Sequence, residues 1–79
     1  MKKPTRKEIL KQIRLWLESE KIKEKDDLSD LGFDSIERMD LHLNLEDEFG
    51  IIFDQMNETS VKKIIDSTIG AVKSQRGIK

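Results

Sequence analysis

Apolar residues recur at helical spacing in three separate blocks, and each block carries its own start signal. In the first, Ile9, Leu10, Ile13, Trp16 and Leu17 form one stripe, with Lys7, Lys11 and Arg14 lying away from it. Thr5 and Glu8 stand three residues apart at its start, the spacing of a capping box. The pattern predicts a helix over about 5–19 with Trp16 in the core. The last block, Val61, Ile64, Ile65, Thr68, Ile69 and Val72, predicts a closing helix capped by Thr59 or Ser60. Gly70 weakens that helix by about 1 kcal/mol relative to alanine.

The middle block differs in kind. It starts at Asp34 or Ser35, where Asp34 and Glu37 repeat the capping-box spacing, and it stops at Gly50. At 100° per residue, Glu37, Asp40, Asn44, Asp47 and Glu48 fall within an arc of roughly 100°. Ile36, Met39, Leu41, Leu43, Leu45 and Phe49 spread over the other side. So wide an apolar arc predicts a helix buried on two sides, or buried on one and open to a partner on the other.

Between the first two helices, residues 20–34 are charged and broken. Gly32 and the Asp/Ser cluster supply turn chemistry. Ile22, Leu28, Leu31 and Phe33 are the apolar anchors of an ordered loop, with one short helical turn at 27–31. Ile51-Ile52-Phe53 is too short for a strand, and residues 54–58 read as a polar connection with one helical turn. Together these features predict an all-α fold, a three- to four-helix bundle with a long first loop. The chain reads as one domain over 1–79, with a core at about 5–73 and a flexible tail at 74–79.

Composition narrows the chemistry. The chain is 39% charged and 35% hydrophobic, so the core is small. Cysteine is absent, which excludes disulfides, thiolate metal sites and a thiol nucleophile. No apolar run reaches the roughly 20 residues of a membrane span, and none follows the basic N-terminus as a signal peptide would require. A soluble cytoplasmic monomer is the expectation. The net charge of −1 hides an asymmetry: residues 24–58 hold twelve acids against two bases, Lys25 and Arg38, a balance of −10. Such a surface is either simply solvated or attractive to basic partners.

Four chemistries fail. With Gly32 at the sixth position of a calcium loop, the fifth would be Leu31 and the twelfth Arg38, neither of them a ligand of the required kind. Ser35 as a nucleophile would need an adjacent base. The one histidine, His42, is seven residues away, about 10 Å along the same helix, and reads as a partly buried or surface residue. One histidine without cysteine also leaves no metal site. The acidic middle repels nucleic acid, and no aromatic platform offers stacking. Two readings of Ser35 stay open from the local residues: a helix cap, or a modification site whose attached phosphate suits the helix N-terminus.

The run Leu31-Gly32-Phe33-Asp34-Ser35-Ile36 resembles the phosphopantetheine attachment motif of acyl carrier proteins, usually Asp-Ser-Leu at its centre. The likeness continues without a gap through Glu37, Met39, Asp40, Leu41, Leu43, Leu45, Glu46, Asp47, Glu48, Phe49 and Ile52. It covers about residues 5–73. The resemblance implies that Ser35 carries 4′-phosphopantetheine, derived from coenzyme A, through a phosphodiester. Acyl groups would then ride as thioesters on its thiol, in fatty-acid, polyketide or related biosynthesis. Asp34 matches the motif's aspartate. Ile36, Glu37, Met39, Asp40, Leu43, Glu46 and Asp47 match the partner-binding helix, and Leu41, Leu45, Ile52 and Ile64 would line an acyl pocket. The implied partners are a phosphopantetheinyl transferase and acyl-transfer or acyl-modifying enzymes with basic patches. The chain itself would be a carrier and not an enzyme.

Departures from the family pattern leave room for a specialised carrier. Ile36 stands for the commoner leucine, Phe33 is large, and Arg38 puts a positive charge in the partner helix. The connection from Ile52 to Val61 is about two residues short, which predicts a stub for a third helix. Two other readings compete: an aminoacyl or peptidyl carrier, and a helical interaction module in which Ser35 is only a cap.

Overall fold

The polypeptide forms α1 (Arg6–Leu17), α2 (Ser35–Phe49) and α3 (Val61–Gln75) in a computed structural model that describes residues 4–75. Each helix packs on the other two. No strand occurs among the described residues, so the bundle is all-α with three helices. Lys2 and Lys3 of the basic N-terminus and residues 76–79 of the expected tail lie outside the described residues.

The start of α1 follows its sequence signal. Thr5 Oγ1 accepts the Glu8 N–H at 3.1 Å, and Glu8 accepts the Thr5 N–H at 2.9 Å. The helix ends two residues earlier than its periodicity predicts. Glu18 adopts the left-handed conformation (φ 55°), and the Ser19 N–H reaches back to the Arg14 carbonyl at 3.0 Å, which closes the helix end. Ile9 and Ile13 are fully buried, with Leu10 and Leu17 half-buried beside them. Trp16 is a correction: it is 47% exposed. Its direction lies about 75° from the centre of the Ile9, Leu10, Ile13 and Leu17 arc, so it sits on the edge of the stripe.

The wide apolar arc of α2 divides. Leu41, His42 and Leu45 face the core, while Ile36, Met39 and Leu43 stay exposed. The second of the two arrangements predicted for this helix is therefore the one adopted. Gly50 ends α2 in the left-handed region (φ 65°), a conformation that costs glycine little. On α3, Val61, Ile64, Ile65 and Thr68 are buried. Thr68 satisfies its buried hydroxyl by donating to the Ile64 carbonyl at 2.8 Å. Ser60 precedes the helix and accepts the Lys63 N–H at 3.3 Å.

The two connections lean on each other. Ile22 and Leu28 plunge fully into the core from the long loop, and Ile51 and Phe53 do so from the second connection. Leu31, expected as an anchor, is 47% exposed. Asp27 and Ser60 form an isolated antiparallel bridge: the Leu28 N–H donates to Thr59 at 2.7 Å and the Val61 N–H to Asp26 at 3.1 Å. No helical turn forms at 54–58, and the expected third-helix stub is absent among the described residues. The segment is held open instead, by Phe53 N–H on the Glu46 carboxylate (2.7 Å) at one end and by the bridge at the other.

Candidate functional site

The loop enters α2 through one tight turn. The Leu31 N–H donates to Asp27 (3.1 Å), Gly32 to Ser29 (3.1 Å) and Phe33 to Leu28 (3.0 Å). Gly32 sits at φ 94°, a conformation that side chains rarely adopt, and the chain there reverses toward the helix. Asp34 is the N-cap. Its carboxylate accepts the Glu37 N–H at 2.8 Å, and the Glu37 carboxylate accepts the Asp34 N–H at 2.9 Å.

This assignment separates the two readings of Ser35. Asp34 already does the capping, and Ser35 is the first residue of the helix proper. Its side chain is exposed, and no hydrogen bond engages its hydroxyl among the described residues. An interaction module in which Ser35 serves as the cap does not match this geometry. A free hydroxyl on the first turn, next to the positive end of the helix dipole, suits a phosphate ester, so the residues present fit a phosphopantetheine arm.

Behind the junction lies a polar cluster that the sequence pattern did not reveal. Arg38 turns back from the first turns of α2. Its Nη1 donates to the Phe33 carbonyl at 2.9 Å and to Ser29 Oγ at 3.3 Å, while its Nε is buried without a partner. Asp27 accepts the Thr59 hydroxyl at 2.8 Å and the Ser29 and Asp30 N–H groups at 2.8 and 3.3 Å. The Thr59 bond, helped by those N–H groups and by Arg38, holds the Asp27 carboxyl below its ordinary value against the opposing effect of desolvation.

Of the residues matched to a partner-binding helix, Ile36, Met39 and Leu43 are exposed, at 70%, 51% and 47%. Glu37, Asp40 and Asp47 are exposed beside them. An acidic edge therefore borders an exposed apolar stripe on α2. Glu46 stands apart: it is half-buried and holds the Phe53 N–H. Asn44, on the same arc as the acids, is turned toward α1, where it accepts the Gln12 amide at 2.9 Å.

Of the four residues matched to an acyl pocket, three share the hydrophobic core and one lies outside it. Leu41, Leu45 and Ile64 are core residues at 0% exposure, whereas Ile52 is 71% exposed. Ile52 instead lines an open cleft of about 450 Å³ with His42, Phe53, Glu58, Ser67 and Gly70, between the second connection and α3. His42 is buried, more deeply than its position suggested. Its ring meets Phe53 edge-on at 5.0 Å, and its Nδ1–H donates to the Arg38 carbonyl at 2.7 Å. Burial pushes its pKa down, outweighing the opposite pull of the Arg38 carbonyl, Glu58 and Glu46.

A family model described as "Phosphopantetheine attachment site" matches residues 7–66. Searches of curated proteins and of solved structures gave no significant match. The matched span includes the capped junction, all of α2 and the first residues of α3.

Proposed function

Since this chain belongs to the phosphopantetheine attachment-site family, whose members carry a covalently attached 4′-phosphopantetheine, we propose that Ser35 bears the arm and that the cargo is an acyl group held as a thioester. One observation supports Ser35 above all: the cap is Asp34, so the exposed Ser35 hydroxyl is left with no structural task. On attachment the Ser35 hydroxyl gives up its proton, and its oxygen forms the phosphodiester. The adenosine 3′,5′-bisphosphate half of coenzyme A leaves. The arm then supplies the thiol that this cysteine-free chain lacks.

The protein's own residues do the presenting. The Asp34–Glu37 capping box fixes the junction, and α2 offers Ile36, Met39 and Leu43 with Glu37, Asp40 and Asp47 at the edge. Such a surface fits a transferase and acyl-handling enzymes that bear basic patches around an apolar centre. In this reading the chain catalyses nothing itself.

Incubation with a phosphopantetheinyl transferase and coenzyme A tests the assignment by intact mass. The wild-type chain gains one arm and Ser35→Ala gains none. A gain that survives in Ser35→Ala would overturn the assignment. Mass analysis of protein from its native host then reads the cargo, and an aminoacyl group in place of an acyl group would move the protein to the peptidyl class.

A further inference from the structure

We infer that Arg38 is a positioning residue for Ser35: its guanidinium latches the loop at 29–33 onto α2 and holds the peptide ahead of the cap in a single orientation. The inference rests on the reading of Ser35 as the attachment residue.

An arginine near the start of an exposed helix normally extends its charged end into water. Arg38 does not. It folds back over five residues to the Phe33 carbonyl and over nine to Ser29 Oγ. That course leaves its Nε buried and unpaired, an unfavourable state that persists only where other contacts outweigh it. The contacts are on hand: the Phe33 carbonyl at 2.9 Å and the nearby negative charge of Asp27.

The acceptor matters more than the bond. The Phe33 carbonyl belongs to the peptide that joins Phe33 to Asp34. Just before it stands Gly32 at φ 94°, the residue with the most backbone freedom in the loop. The capping box fixes Asp34 from the helix side, through its N–H and its carboxylate. Arg38 fixes the same peptide from the loop side. With both in place, the turn and the helix start move as one body, and Ser35 is the next residue. Arg38 is also the one lysine or arginine between Lys25 and Lys62, so nothing nearby in sequence can replace its charge. Its charge is turned toward the loop and away from the exposed acidic edge of α2, which argues against a role as a direct docking contact.

A loosened junction would present the hydroxyl in its competent pose only part of the time. Apparent affinity for the transferase falls in proportion to that fraction. In Arg38→Met the KM for the carrier should rise roughly fivefold to tenfold, the net size of one lost hydrogen bond, with kcat within about twofold. In the unmodified protein, amide exchange at Asp34 and Ser35 should quicken by a similar factor, while Ile64 and Ile65 in α3 keep their protection. Arg38→Lys, which can still reach one carbonyl, should fall between.

Unchanged exchange at 34–35 in Arg38→Met would overturn the latch. If KM rose all the same, Arg38 would be acting on the transferase through its charge. An unchanged KM would overturn it equally. Should Arg38→Met unfold, visible as lost protection in α3, Arg38→Lys carries the test: protection at 34–35 equal to wild type then rules the latch out. Absence of transfer to the wild-type chain, or transfer to Ser35→Ala, would fail the Ser35 assignment and leave the exchange result standing.

Discussion

The Thr59 hydroxyl donates to the Asp27 carboxylate at 2.8 Å, joining two loops that are 32 positions apart in the chain. With the backbone pair on either side, this bond ties the long first loop to the start of α3. Asp27→Ala should lower the urea midpoint without changing the slope, because the same surface unfolds. The sign with pH follows from the depressed carboxyl. Its contribution is complete above the ordinary value of 3.8 and is lost as pH falls through that value toward the folded one. Urea titrations at neutral pH and below pH 4 should therefore differ by less in Asp27→Asn than in the wild type.

His42 gives stability a second pH dependence at a higher range. Burial lowers its pKa below 6.5 in the folded protein, so the unfolded chain binds its proton more readily. Stability is complete above 6.5 and declines as pH falls below it. The charges of Glu46 and Glu58 moderate the effect, while that of Arg38 adds to it. Thermal melts between about pH 7 and pH 5 should slope downward in the wild type and flatten in His42→Leu.

Two backbone positions invite stabilisation. Glu18 holds the left-handed conformation at φ 55° without being glycine, and Glu18→Gly should gain about 0.5–1 kcal/mol. Gly70 lies within α3, and a Cβ there would meet nothing within 4 Å. Gly70→Ala should gain a similar amount, about 0.5–1 kcal/mol. Gly50→Ala is the opposite control, because φ 65° strains alanine, and should cost about 1 kcal/mol. Urea midpoints order the three.

The exposed face of α2 makes a prediction about partners. Asp40→Lys should slow transfer to acyl-handling enzymes by about fivefold at low salt, with the gap narrowing as ionic strength rises. Helicity by circular dichroism should not change, because Asp40 is exposed. Equal rates at low salt would argue against electrostatic docking on this edge.

What could be read from the sequence was local. Thr5 with Glu8 and Asp34 with Glu37 form reciprocal caps because both partners lie three residues apart, within reach of a spacing argument. The core faces of α1 and α3 followed from period alone. The Asp27–Thr59 bond depends on how two loops meet, and no pattern within either loop encodes that. Trp16 was misplaced because a stripe's edge and its centre look alike in one dimension. Arg38 was read as a charge on the partner helix, since its number gives its place on the helix but not the backward course of its side chain. Leu41, Leu45, Ile52 and Ile64 share a chemical type, and only packing revealed that the third of these faces outward.

Trp16, half out of the core at the end of α1, is the only tryptophan in a chain without tyrosine. Ultraviolet emission therefore comes from one address. Because that indole is half exposed already, unfolding changes its surroundings less than those of a fully buried ring. A molecule that covers this flank of α1 will dry the ring and shift its colour to the blue. The protein thus carries an unlabelled optical probe of contact at this flank.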